Sequence, residues 1–408
     1  MTATKMVERV LVSAPGKVIL FGEHSVVYQK MAVAASLGLR TYLCIERRQD
    51  NLIRLLLPDV KADRTWKLDE LPIDVDFTNC DTRHPSEMPE KLQSRLVKLA
   101  DADAQNPTTQ AVMAFLYLLV IIQIKAAGTP LDHGFTIIVR SFLPVGAGLG
   151  SSASYSVVIS TALLILYNLI PVDFNSSSDR ELHLELINKY AFKAEEVIHG
   201  NPSGVDNAVA TFGGAKSFVR GQGFSTLEGF KSLNLLLTNT NVPRSTSALV
   251  AAVSEKRKKY PEIIEPILES MHNIGIRCRD AFKKLHDGAI TTEDLMVEIG
   301  DLVVLNHSLL DGLGVSHPSL EKIRSITAQH GLKTKLTGAG GGGCAVTFIG
   351  DDIVQSVVDE VMSFLKDEGF DCYQTSIGGI GANAVPLTNN ESSQWLLETD
   401  RSTLEQYM

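Results

Sequence analysis

Residues 135–170, "FTIIVRSFLPVGAGLGSSASYSVVISTALLILYNLI", run from a strand pattern through a glycine-rich turn straight into a long apolar helix. Such a junction constrains the fold strongly. A helix that begins at a glycine turn presents unpaired N–H groups and the positive end of its dipole, and the glycines let the backbone approach an anion closely. The turn carries no lysine, so GxxxxGK[ST] is absent, and Ser151 stands where the dinucleotide pattern needs its last glycine. The plain alternative is a strand-to-helix turn in which Ser151 or Ser152 only caps the helix.

A chain of 408 residues, 44% of them hydrophobic, has room for two or three domains with buried cores. Its net charge of -9 excludes phosphate-backbone binding to nucleic acid as the main task. An anionic ligand must then meet local charges and backbone amides. Cys44, Cys80, Cys278, Cys344 and Cys372 are scattered without CxxC spacing, which indicates neither a disulfide framework nor a zinc site and fits a reducing, cytoplasmic setting. The apolar windows "VMAFLYLLVIIQI" and "VVISTALLILYNLI" fall short of the ~20 residues of a membrane span, so they are expected to be buried helices and no membrane association is expected.

Strands are predicted in "VERVLVSAP", "KVILFGEH" and "RTYLCIERR", with a turn at Pro15-Gly16 and a helix or loop in "SVVYQKMAVAASLG". Residues 81–110 read as a polar surface insertion, followed by helices over 111–127 and 152–168. In "RELHLELINKYAFKAEEVIHG" the stripe Leu186, Ile187, Tyr190, Ala191, Ala194, Val197 and Ile198 predicts a buried helix face, ended by Gly200. "KSLNLLLTNTNVPR" opens a second unit with long helices over 244–330, a strand pair around "KLTGAGGGGCAVTFIG" and a helix in "DDIVQSVVDEVMSFLKDEG". The tail beyond Pro386 is polar and expected to be mobile.

Single motifs here have ordinary explanations. Lys17, and the pair Glu23-His24, are of a kind usually found solvated at a surface. "EEVIHGNPSGVDNAVATFGG" offers Glu195, His199 and Asp206. Glu195 lies four residues after Ala191 and three before Ile198, on the inward edge of its helix, whereas Glu196 points elsewhere. An inward carboxylate needs a cation or a donor. For Asp206 the competing reading is a capping box with Ser203. "GAGGGG" at 338–343 matches GxGxxG but leads into a strand pattern, whereas the dinucleotide motif must open a helix.

Taken together and in order, "APGKVILFGEH", "LPVGAGLGSSASYSV", "HGNPSGVDNAV" and "KLTGAGGGGCAVTF" resemble the signature set of the GHMP kinases, and within it the branch that phosphorylates mevalonate. The resemblance runs from Val12 to Ile349, and "TNTNVPRSTSALV" is similar as well. The departures are the second acid Glu196 and Val145, where the family commonly has a proline.

The resemblance implies an α+β, two-domain fold. An N-terminal ribosomal protein S5 domain 2-like unit over 1–230 and a ferredoxin-like α/β sandwich over 231–386 would enclose the active site, with a polar tail over 387–408. It also implies roles. Gly146, Ala147, Gly148, Leu149, Gly150, Ser151 and Ser152 would hold the phosphates of ATP, and Ser152 and Glu195 would hold Mg2+. Asp206 and Lys17 would be the catalytic pair, Asp206 mainly orienting the acceptor hydroxyl and taking its proton late. Lys17, Glu23, His24, Tyr155, Asp206 and Thr246 would line the mevalonate pocket, with Gly338, Ala339, Gly340 and Gly341 as a second glycine loop. Family properties add a homodimer, inhibition by isoprenoid diphosphates and a cytoplasmic location, with peroxisomal association open. Two alternatives stay open: a GHMP kinase for phosphomevalonate, galactose or homoserine, and a silent GHMP-fold protein that binds a metabolite and regulates a partner.

Overall fold

The computed structural model describes residues 8–74, 79, 82–101, 106–126, 131–144, 146–387 and 392–407, so Cys80 and Val145 lie outside the described residues. The N-terminal half runs β1 (Arg9–Phe21), β2 (Ala32–Arg47), β3 (Leu52–Leu57), β4 (Ala62–Lys67), α1 (Glu90–Ala100), α2 (Pro107–Lys125) and β5 (Phe135–Ser141). It continues with α3 (Ser151–Leu166), α4 (Arg180–His199), α5 (Val205–Phe212), β6 (Ala215–Val219) and β7 (Gly223–Thr226). Strands β4, β3, β5 and β2 lie side by side in that order, and β2 also pairs with β1 and β6.

Two local expectations are corrected. Pro15-Gly16 is no turn: β1 runs through it, and the register with β2 slips between Pro15 and Lys17, a bulge that accommodates a residue without an N–H. Residues 32–38 form the first half of β2 instead of a helix or loop. Ala34 pairs with Ile19 on one side and Lys216 on the other, so a run of small residues buried on both faces fits a central strand without alternating.

Segment 81–110 also holds more than a polar insertion. Within its described part, α1 buries Leu92, Leu96 and Ala100 at helical spacing. α2 starts earlier than expected, at Pro107, because Asn106 caps it by accepting from Thr108 N at 2.9 Å; residue 127 lies outside the described residues. Thr108–Lys125 is long and apolar enough to cross a bilayer, but two thirds of it is buried in the protein. Its residues Ala114 to Ile122 share one core with α3 and α4. α4 follows its predicted stripe, and Gly200 ends it.

The C-terminal half runs β8 (Leu233–Asn239), α6 (Thr246–Lys259), α7 (Pro261–His286), α8 (Thr292–Gly312), α9 (Pro318–Gln329), β9 (Lys333–Thr337), β10 (Cys344–Ile349), α10 (Gln355–Asp367) and β11 (Asp371–Ile377). Its antiparallel sheet has the order β11-β8-β10-β9, the ferredoxin-like arrangement. Ile377 of β11 pairs with Leu37 of β2, which joins the two sheets.

The chain then returns. β12 (Asn383–Pro386) pairs with β1, and the short helices α11 (Trp395–Glu398) and α12 (Arg401–Glu405) follow. Their Leu396 and Leu404 are fully buried against Leu11, Tyr42 and Ile138. The described part of the tail expected to be mobile is therefore packed, because two leucines in a polar segment cover an apolar sheet face, and Arg140 donates to Leu396 O at 3.1 Å.

Candidate active site

The bulge in β1 turns Lys17 toward the glycine turn, and its N–H donates to Leu149 O at 2.8 Å. Gly16 permits this approach, since a Cβ there would lie 2.7 Å from Leu149 O and 2.4 Å from Leu143 Cδ2. Gly150 is the N-cap of α3 and adopts φ +74°, so no side chain occupies the first amides and neither Ser151 nor Ser152 caps the helix. Ser152 Oγ instead donates to Glu195 Oε2 at 3.3 Å, and Ser156 Oγ to Glu195 Oε1 at 3.0 Å.

Glu195 is 4% exposed. Burial pushes its pKa up to about 7; the Ser156 hydrogen bond opposes this, the charge of Asp206 adds to it, and the Ser152 hydrogen bond opposes it again. Glu196 points away and pairs with Lys193 at 2.8 Å, as the helical periodicity predicts. His199 Nε2 lies 3.0 Å from Ser152 Oγ and 3.8 Å from Glu195 Oε2, half-exposed and with its pKa lowered chiefly by burial.

Asp206 stands in the first turn of α5, whose N-cap is Gly204; no capping box with Ser203 forms. Its carboxylate Oδ2 lies 3.5 Å from Lys17 Nζ instead. Lys17 is 7% exposed, and its stem passes beneath Gly150, where a Cβ would meet Lys17 Cγ at 2.9 Å.

The other predicted pocket residues are placed differently from one another. Glu23 is buried with both oxygens engaged, Oε1 by Lys335 Nζ and Oε2 by Asn306 Nδ2 at 3.0 Å. His24 Nε2 lies 2.8 Å from Ala339 O; a carbonyl only accepts, so this nitrogen carries the hydrogen. Burial lowers the His24 pKa and favours the neutral ring, which leaves Nδ1 a buried lone pair without a partner among the described residues. Tyr155 donates its hydroxyl to Ala111 O of α2 at 2.9 Å. Thr246 is exposed as the first residue of α6, next to its cap Ser245.

Gly338, Ala339, Gly340 and Gly341 connect β9 to β10, so "GAGGGG" is a strand-to-strand turn and opens no helix. The group that sequence reading missed is Arg244. Its Nη2 donates to Ala147 O at 2.6 Å and its Nη1 to Gly342 O at 3.4 Å, tying the two glycine turns together. Burial lowers its pKa, and among the described residues no carboxylate pairs with it. Only its place in "NVPRSTS" could have drawn attention to it, because nothing in that pattern reveals a long-range partner.

A helix start kept free for an anion, beside a Lys–Asp pair and a buried carboxylate, closed by a ferredoxin-like half, is the layout of a small-molecule kinase of the GHMP class. The family models agree: the one described as GHMP kinases N terminal domain matches residues 114–214, and GHMP kinases C terminal matches 291–367. Full-length relatives narrow this. The chain is 43% identical over 385 residues to the mevalonate kinase of Mus musculus, covering 92% of this chain and 95% of that one. It is 42% identical over 395 residues to that of Homo sapiens, covering 94% and 97%. The chain belongs to the mevalonate kinase family. A solved mevalonate kinase from Methanococcus jannaschii, 23% identical, has the same fold with a TM-score of 0.65 over 90% of this chain and 98% of that one.

Proposed function

We propose that this protein transfers the γ-phosphoryl group of ATP to the primary hydroxyl of mevalonate, giving 5-phosphomevalonate. One observation carries the reading: Lys17 joins the glycine turn to Asp206. Its backbone N–H holds Leu149 O of the phosphate-side turn, while its side chain lies 3.5 Å from Asp206. Donor and acceptor sites are thus fixed relative to one another by a single residue.

In phosphoryl transfer the protein mainly positions reactants and neutralises charge on oxygen. The bond from the acceptor oxygen to the γ-phosphorus forms, the bond to the β,γ-bridging oxygen breaks, and the hydroxyl proton passes to Asp206. A carboxylate is a far weaker base than an alkoxide, so Asp206 orients the hydroxyl first and receives the proton late. Lys17 stabilises charge on the reacting oxygens. His24 Nδ1, a buried acceptor without a partner among the described residues, suits a hydroxyl of the substrate.

Mg2+ fits the residues present. Ser152 Oγ and Glu195 are hard oxygen donors, and among the described residues the buried carboxylate meets serine hydroxyls and a half-exposed histidine. Bound there, the ion neutralises charge on the phosphate oxygens. Two further properties belong to the same reading and rest on the family resemblance: a homodimeric assembly, and inhibition by isoprenoid diphosphates at the nucleotide site.

The test is ADP release by the purified protein with mevalonate, phosphomevalonate, galactose and homoserine in parallel. Turnover with mevalonate alone is expected. Turnover with another acceptor in its place reassigns the substrate, and binding without turnover on any of them favours a regulatory role.

A further inference from the structure

The mevalonate-side turn of the N-terminal half is held from outside that half. Glu23 and Lys335 form an ion pair in which neither side chain is exposed, and Asn306 Nδ2 donates to the second Glu23 oxygen at 3.0 Å. Lys335 also donates to Leu336 O at 2.7 Å, which fixes its own direction. Four residues on from Lys335, Ala339 O receives the Nε2–H of His24 at 2.8 Å. One β9–β10 hairpin therefore grips two successive residues of the turn.

His24 needs that grip. Its backbone sits at φ +60°, ψ -44°, a region that side-chain-bearing residues rarely occupy without support from their surroundings. Neighbouring contacts secure the rest of the turn, with Thr337 Oγ1 donating to Ile19 O at 2.9 Å and Met31 N to His272 Nδ1 at 2.9 Å. Each Glu23 oxygen already accepts from a protein donor, Oε1 from Lys335 and Oε2 from Asn306, which gives its carboxylate a structural task within the turn.

We propose that Lys335 is a positioning residue for the acceptor site: through its buried pair with Glu23 it holds His24 so that Nδ1 faces the substrate. The inference rests on the mevalonate kinase reading and deepens it. Glu23 and Lys335 then act on mevalonate only through His24, and the phosphate-side turn around Gly146–Ser152 does not depend on them.

Three variants test this by steady-state kinetics per folded fraction, with thermal midpoints measured alongside. Lys335→Met strands a carboxylate in the core, and KM for mevalonate is expected to rise at least ~10-fold while KM for ATP stays within ~2-fold. Glu23→Gln keeps an acceptor toward Lys335, and with the Asn306 amide turned over its own N–H donates to Asn306 Oδ1, an oxygen without a partner among the described residues of the wild type. Its KM for mevalonate is expected to rise clearly less than that of Lys335→Met. Should Glu23→Gln raise that KM as much as Lys335→Met does, the Glu23 carboxylate touches substrate itself and the proposal is wrong. It is equally wrong if Lys335→Met lowers only the midpoint and leaves both KM values in place. If Lys335→Met does not fold, the charge-balanced double variant Glu23→Gln/Lys335→Met replaces it: a mevalonate KM at least ~5-fold above that of Glu23→Gln supports the role, and an equal KM overturns it. Wild-type turnover of mevalonate tests the kinase reading separately, so an active wild type with unmoved variants ends this proposal alone.

Discussion

Two glycine-rich turns meet across Arg244, and they differ in what a methyl group would encounter on each. On the turn before α3, a Cβ on Gly146 would meet nothing within 4 Å, and on Gly148 and Gly150 it would meet the far end of Arg244 and the stem of Lys17. On the β9–β10 turn, a Cβ on Gly340 would lie 2.0 Å from Val315 O, and on Gly342 2.7 Å from Val242 Cβ. The first turn is the more open and leads into a helix; the second is packed against Val315, Leu249 and Val242 and leads into a strand. Similar composition serves two purposes: one turn leaves room for a ligand, and the other lets chain segments approach each other.

That contrast can be broken or sharpened. The largest effect belongs to the open side, where Asp206→Ala is expected to lower kcat about a thousandfold with ATP affinity nearly unchanged. Near-normal turnover would remove Asp206 from the chemistry. Next comes the packed side. Gly340→Ala forces a Cβ into Val315 O at φ +76° and disturbs the Gly341 N to Val315 O hydrogen bond of 2.8 Å, at a cost of about 3 kcal/mol by chemical denaturation. A loss confined to ATP affinity would mean that this turn, too, serves the ligand.

Glu195 supplies a pH test. Its folded pKa of about 7 lies above the ordinary 4.5, so between these values the folded protein keeps a proton that the unfolded chain has lost. Stability therefore falls as pH rises through that window, by about 3 kcal/mol at the upper end. Glu195→Gln is expected to be more stable than wild type at pH 8 without nucleotide, with the difference vanishing near pH 4.5; a difference independent of pH would contradict the buried-acid account. Arg244→Met is expected to raise KM for ATP about 10-fold by releasing Ala147 O from its tie to the second turn. Smallest of all, Gly146→Ala should cost about 1 kcal/mol of stability from its φ of +71° alone, since nothing obstructs the added carbon.

Legibility in the sequence followed the range of the interactions. α4 and the direction of Glu195 could be read because helical periodicity is local, and the strand-turn-helix junction could be read because its glycines sit in one stretch. The first half of β2 was missed because its strand character comes from β1 and β6 on either side, not from alternation. The packed tail was missed because a few apolar residues scattered through a polar segment give no sign of the sheet face awaiting them. At the site, Lys17, Ser152, Glu195 and Asp206 were singled out and stand within one connected cluster. Arg244 and Lys335 were not, since each matters through a partner about one hundred or more positions away.

The return of β12 to β1 has a consequence for biosynthesis. During translation β1 emerges long before its second neighbour, β12, has left the ribosome. Until then that edge offers free N–H and C=O groups to any strand nearby, so a nascent or prematurely terminated chain is a target for chaperones and for self-association.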